Sequence, residues 1–337
     1  MSSAAETVLS VRDLSVSFPT SEGTVKAVQD VSFDIRAGEV LAVVGESGSG
    51  KSVTALAVMG LHPKSAEITG SARFGEHELL GLDDKTMRRI RGDEIAMIFQ
   101  DPMTALNPVF TVGGQIAEAI WIHRDIQKKA AMERAAELLD LVGVPEAKRR
   151  ARQYPHEYSG GMRQRAMIAM AIANDPKLLI ADEPTTALDV TIQAQVIETM
   201  KAAQDATGAA MMLITHDLGL VAGLADRIQV MYGGRIVETG TTDEVFYGSS
   251  NPYTRGLMSS IPRLDAREAA RLTPIPGAPP SLINLPKGCS FRPRCTFRTE
   301  ICLSGVPELE EVAPGHSTRC FHSGDLPELE VMVEVHS

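Results

Sequence analysis

Four groups of residues suited to phosphate chemistry follow one another along the chain: Gly45-Glu-Ser-Gly-Ser-Gly50-Lys51-Ser52, then Gln100, then Tyr158-Ser-Gly-Gly-Met162, then Leu178-Leu-Ile-Ala-Asp182-Glu183-Pro184. The first has the G-x-x-x-x-G-K-S/T spacing. In such a loop glycine N–H groups cradle phosphates, the lysine reaches the β and γ oxygens, and the serine hydroxyl binds Mg²⁺. Its flanks agree, a β-branched run at Val40–Val44 before it and a helix-compatible run at 53–59 after it. The loop therefore joins a strand to a helix N-terminus, where backbone donors favour an anion. This marks Gly45, Ser47, Gly48, Ser49, Gly50, Lys51, Ser52 and Val53 as nucleotide-binding residues.

Asp182 closes the apolar strand 178–181, which brings its carboxylate to the carboxyl edge of a parallel sheet, where open α/β sheets bind ligands. There it supports Mg²⁺, while Glu183 beside it points elsewhere and polarises the attacking water. A second apolar run, 211–215, ends in His216, placed to hydrogen-bond a γ-phosphate. Together these groups predict hydrolysis of ATP with Mg²⁺.

With these motifs in this order the chain resembles the nucleotide-binding subunits of ABC transporters, over roughly residues 7–245. The resemblance implies a P-loop α/β core with an antiparallel β subdomain and a helical insert at about 101–163. It identifies residues 45–52 as the Walker A loop, Gln100 as the Q-loop residue that approaches Mg²⁺ and couples to the membrane partner, Asp182 as Walker B, Glu183 as catalytic base and His216 as switch. Ala187-Leu188-Asp189 corresponds to the D-loop, and Phe18 to the aromatic that stacks on adenine. Ser159, Gly160 and Gly161 form the signature core that caps the γ-phosphate held by an opposing ATPase, although Tyr158 and Met162 replace its usual leucine and glutamine.

Composition bounds the alternatives. The chain has 337 residues, 44% of them hydrophobic, enough for a large α/β domain plus an appendage. Its net charge is −10 and aromatics are 4%, which argues against a nucleic-acid partner that needs a basic, stacking surface. The longest apolar run, 166–173, is too short to span a membrane. Residues 1–7 lack the basic start and apolar core of a secretory signal, so the expectation is a cytoplasmic protein. Helical spacing at 114–120 and 129–142, with Gly143 as a C-cap, fills the insert. Strand patterns at 7–17 and 27–35, and a hairpin at 231–237, complete the domain. A Pro-rich stretch at 273–286 reads as an extended tail that lies on something.

All four cysteines fall in the last fifty residues, as Cys289-x5-Cys295-x6-Cys302-x17-Cys320. Disulfides fit a cytoplasmic chain poorly. The spacing is wider than the close pairs of zinc sites and suits thiolates around an iron–sulfur cluster. Residues 246–337 resemble the C-terminal extension of peptide and nickel importer ATPases, through Asn251-Pro-Tyr-Thr, Ile275-Pro-Gly-Ala-Pro-Pro and Gly288-Cys-Ser-Phe-Arg-Pro-Arg-Cys295. The resemblance implies a [4Fe–4S] cluster on these cysteines. It also implies a heterodimer with a second, similar ATPase, two transmembrane permeases, an extracytoplasmic binding protein and a place on the cytoplasmic face of the inner membrane. Dipeptide, oligopeptide, nickel and glutathione cargoes stay open. Rival readings are a soluble ABC-type ATPase acting on nucleic acid, and an iron–sulfur scaffold or redox sensor.

Overall fold

Two hydrophobic patterns produce two sheets in the computed structural model, which describes residues 6–186, 189–260 and 274–327. Twelve strands occur among the described residues: β1 (Thr7–Thr20), β2 (Gly23–Arg36), β3 (Val40–Val44), β4 (Glu67–Phe74), β5 (His77–Glu78), β6 (Ile95–Ile98), β7 (Leu178–Asp182), β8 (Ala210–Thr215), β9 (Arg227–Tyr232), β10 (Arg235–Thr241), β11 (Glu310–Ala313) and β12 (His316–Thr318). Alternating burial in β1 and β2 gives one covered face, and these strands form an antiparallel sheet in the order β2-β1-β4-β5. The alternation slips where Asp13 and Asp30 adopt positive φ, at register shifts in the β1–β2 pairing.

By contrast β3, β7 and β8 are buried at every position, as strands covered on both faces must be. They lie parallel in the order β9-β3-β8-β7-β6, and β10, β12 and β11 continue that sheet antiparallel beyond β9. The Gly233-Gly234 turn of the β9–β10 hairpin uses φ of 57° and 80°, conformations that glycine adopts freely.

Between β6 and β7 the chain is helical, at Pro102–Ala105, Val112–Trp121, Lys128–Leu141, Ala147–Arg150 and Gly160–Ala171. Ile116, Leu138, Leu139, Met167 and Ile168, all essentially inaccessible, lock these helices into one core. Gly143, at φ 73°, follows the C-cap Val142 of the Lys128–Leu141 helix, so the glycine serves one position beyond the cap. No helix among the described residues is long and apolar enough to cross a membrane.

The segment after β10 is fastened to the rest. β12 pairs with β10 through Glu238↔Thr318, and the fully buried Glu238 accepts from Ser249 Oγ at 2.8 Å and the Ser250 amide at 2.6 Å, with His316 Nε2 at 2.9 Å. The Pro-rich stretch, described from residue 274, docks where the Lys26 amide donates to the Leu282 carbonyl at 3.1 Å.

Candidate active site

The polar cluster forms because β3, β8 and β7 run parallel and end together, with Val44 opposite Thr215 and Asp182 opposite Ile214. The loop 45–50 leaves β3 and enters the Lys51–Val58 helix. Gly45 and Gly50 have φ of 150° and 105°, and a Cβ on them would lie 2.2 Å from the Met231 carbonyl and 2.4 Å from the Ala27 carbonyl. The loop therefore passes between β9 and β2 with no room for side chains. Gly48 instead faces open space. The Ser49 carbonyl accepts from the Gly234 amide at 3.1 Å, which ties the loop to the hairpin, while the Ser49 hydroxyl is buried with no hydrogen-bond partner among the described residues. Ser47 lies at the exposed crest of the loop and Val53 in the first turn of the helix.

Lys51 is 3% exposed, and its Nζ donates to the carbonyls of Gly45 at 2.7 Å and Glu46 at 3.1 Å. Glu183 Oε1 is 3.8 Å away. Burial lowers the Lys51 pKa, opposed by the charges of Glu183, Asp182 and Glu46. Ser52 Oγ donates to Asp182 Oδ1 at 2.7 Å. Burial pushes the Asp182 carboxyl up and the Ser52 bond pulls it back. These hard oxygen donors suit Mg²⁺, which takes one or two protein ligands and fills its shell with water and phosphate oxygens.

Glu183 follows Asp182 directly yet faces another way. Its φ is 47°, left-handed for a side chain that costs about 1–2 kcal/mol there, and its amide is fixed by donation to the Ile214 carbonyl at 2.9 Å. The turn carries Oε2 to Thr186 Oγ1 at 2.9 Å, Gln100 Nε2 at 3.2 Å and His216 Nδ1 at 3.4 Å. One acid thus serves Ser52, and its neighbour joins Gln100 and the exposed His216 from two other segments. Phe18 sits on β1 across from Val25, partly buried against the core that backs the Lys51–Val58 helix.

Tyr158 is buried and donates to the Arg150 carbonyl at 2.9 Å, which anchors the start of the Gly160–Ala171 helix. Ser159 caps that helix by accepting from the Met162 amide at 3.3 Å. Ser159 and Gly160 are exposed, and among the described residues none of Ser159, Gly160 and Gly161 bonds to Lys51, Ser52, Asp182 or Glu183. Asp189 caps the Val190–Thr207 helix, accepting from the Ile192 amide at 3.0 Å; Ala187 and Leu188 lie outside the described residues.

Cys289, Cys295, Cys302 and Cys320 all line one cavity together with Phe291 and His322. The Cys289 amide donates to the Cys302 carbonyl at 2.9 Å. Burial raises the thiol pKa of Cys289 and Cys295 and takes Cys320 up to about 11, with neighbouring cysteines adding to each shift. Among the described residues no three His, Cys, Asp or Glu side chains are gathered closely enough to hold a metal ion, so no metal site is seen.

Three contacts, two at the loop and one at Glu183, have no signal in the sequence. The Glu46 amide donates to Tyr253 Oη at 2.8 Å, the Glu46 carboxylate pairs with Arg294, and Thr186 holds Glu183. Tyr253 and Arg294 stand inside segments that sequence distinguishes only by resemblance, and nothing in their spacing points to the loop.

Residues 28–186 match the ABC transporter family, and residues 237–302 match the oligopeptide/dipeptide transporter C-terminal region. The oligopeptide transport ATP-binding protein OppD of Escherichia coli K12 is 51% identical over 317 residues, 94% of this chain and 94% of that protein. The chain belongs to the ATP-binding subunits of oligopeptide and dipeptide ABC transporters. Within that family, the dipeptide transport ATP-binding protein DppD of Bacillus subtilis is 53% identical over 318 residues, 94% of this chain and 95% of that protein. OppD of Mycobacterium tuberculosis is 56% identical over 94% of this chain, which spans only 52% of that protein's length. Among solved structures, the ATP-binding cassette MJ0796, a dimer bound to ADP and phosphate, is 26% identical with a TM-score of 0.62, over 69% of this chain and 98% of that one.

Proposed function

We propose that this chain is the ATPase that powers import of dipeptides or oligopeptides through an ABC transporter. One observation carries the reading: Lys51, the Ser52–Asp182 pair and the Glu183–Gln100–His216 group meet at the end of a parallel sheet beneath a glycine loop. Lys51 and the loop amides, from Gly45 to Val53, bind the phosphates, and Phe18 stacks on adenine. Ser52 and Asp182, with Gln100 nearby, hold Mg²⁺, which neutralises charge on the β- and γ-phosphates. Glu183 takes the proton of the attacking water, and His216 hydrogen-bonds the γ-phosphate and registers its loss.

Ser159, Gly160 and Gly161 complete the site of a second, similar ATPase. Support comes from the exposure of Ser159 and Gly160 at a helix N-terminus, which favours an anion, and from the dimeric state of the MJ0796 cassette. Two permeases and an extracytoplasmic binding protein make up the remainder, with the chain on the cytoplasmic face of the inner membrane. Residues 1–245 are the nucleotide-binding domain, with the insert at 101–163, and 246–337 the extension. Nickel or glutathione cargo is the secondary reading; the charge of −10 speaks against nucleic acid.

The four cysteines hold a [4Fe–4S] cluster that pins the extension. Convergence of four thiols on one cavity supports this, and a cluster bridges spans that a single ion does not.

Mild-detergent purification of the chain from its native membranes, under nitrogen, tests these assignments together. The expected result is two multi-span permeases, a second ATPase, and iron and sulfide in equal amounts lost in Cys295→Ser. Recovery without membrane partners would overturn the transporter reading, and absence of iron would overturn the cluster.

A further inference from the structure

Glu46, the second residue of the loop, is held at its amide, its carbonyl and its carboxylate. Its amide donates to Tyr253 Oη at 2.8 Å, its carbonyl accepts from Lys51 Nζ at 3.1 Å, and its carboxylate meets Arg294 in two parallel bonds, Nη1 to Oε2 at 2.6 Å and Nη2 to Oε1 at 2.9 Å. Two of these three partners come from the extension. Bidentate pairs of this kind fix direction as well as distance.

Arg294 is itself immobilised. Its side chain is 5% exposed, Nε donates to the Pro276 carbonyl at 2.8 Å, and the guanidinium lies 5.9 Å from the ring centres of both Tyr232 and Phe291. Those rings pack with Tyr253, whose centre is 4.4 Å from Tyr232 and 5.3 Å from Phe291. The rotamer cost of placing Arg294 is thus met by the extension before any nucleotide arrives. The Glu46 carbonyl that Lys51 holds belongs to the same residue, so a shift of Glu46 moves the ammonium too.

We propose that Arg294 is a positioning residue for ATP: its pair with Glu46 keeps the phosphate loop in binding shape, so nucleotide affinity depends on the C-terminal extension. The inference rests on residues 45–52 being the ATP site. A pair that merely fastened the extension would affect unfolding temperature and leave the KM for ATP alone.

The test is ATP hydrolysis and nucleotide binding by the assembled transporter carrying Arg294→Ala, Glu46→Gln, both together, or Arg294→Lys. Arg294→Ala and Glu46→Gln should each raise the KM for ATP roughly tenfold, with the effect in KM rather than kcat. The double variant should be no worse than either single one, and Arg294→Lys, keeping charge but one bond, should fall between. Glu46→Gln preserves shape at a partly exposed side chain, so it decides the matter if Arg294→Ala does not fold. An unchanged KM in Glu46→Gln, or additive losses in the double variant, would overturn the proposal. ATP binding by the unmodified chain is measured first; its absence would overturn the site assignment itself.

Discussion

Glu183→Gln is expected to lower ATP turnover at this chain's site by about 10²–10⁴-fold, the usual contribution of a general base, while ATP still binds. The substitution keeps the size of the side chain and one oxygen for Gln100 and Thr186, both within 3.2 Å of Oε2. It also leaves the turn at φ 47° in place, because the backbone bond to Ile214 sets that turn. What disappears is the basic oxygen. Phosphate release should fall and nucleotide retention should persist, as read by filter binding on the same sample. Undiminished hydrolysis would refute the assignment of Glu183 as base.

Lys51→Ala should produce the opposite pattern, loss of binding before any loss of chemistry. The ammonium is buried within reach of Glu183 and bonds the Gly45 and Glu46 carbonyls. Without it the phosphates would face Asp182 and Glu183 with less compensating charge. A bond to a charged group contributes about 1.5–3 kcal/mol, and at about 1.4 kcal/mol per decade that is roughly a 10- to 100-fold loss of ATP affinity. Titration with a fluorescent ATP analogue reads it directly, and unaltered affinity would remove Lys51 from the phosphate site.

The parts of this site that share a motif were legible in the sequence. The run Val40–Val44, the loop after it and the run ending at Asp182 each carry their own signal, since buried parallel strands are continuously apolar and the loop needs glycine where Met231 and Ala27 crowd it. Other features depend on tertiary structure. Nothing in Asp182-Glu183 announces the left-handed turn that separates their roles. Nor does Glu46, an unconstrained position of the loop pattern, announce Arg294, which approaches it from 248 residues away. In the tail, the Pro-rich stretch was legible as extended chain and the remainder through its resemblance and its cysteines, but its strands were not. β11 is exposed throughout and has no alternation, so its addition with β12 to the main sheet comes from pairing with β10. The cysteine spacing suggested a shared site, and their common cavity required the fold.

ATP hydrolysis by this chain is expected to drive peptide import. The most direct test of this coupling is uptake of a labelled oligopeptide into vesicles containing the purified transporter and binding protein, with phosphate release followed in parallel. Uptake should require ATP, rise together with hydrolysis when peptide is supplied, and collapse in Glu183→Gln. Peptide uptake that continues at the same rate in Glu183→Gln, or ATP hydrolysis with no peptide uptake, would contradict it.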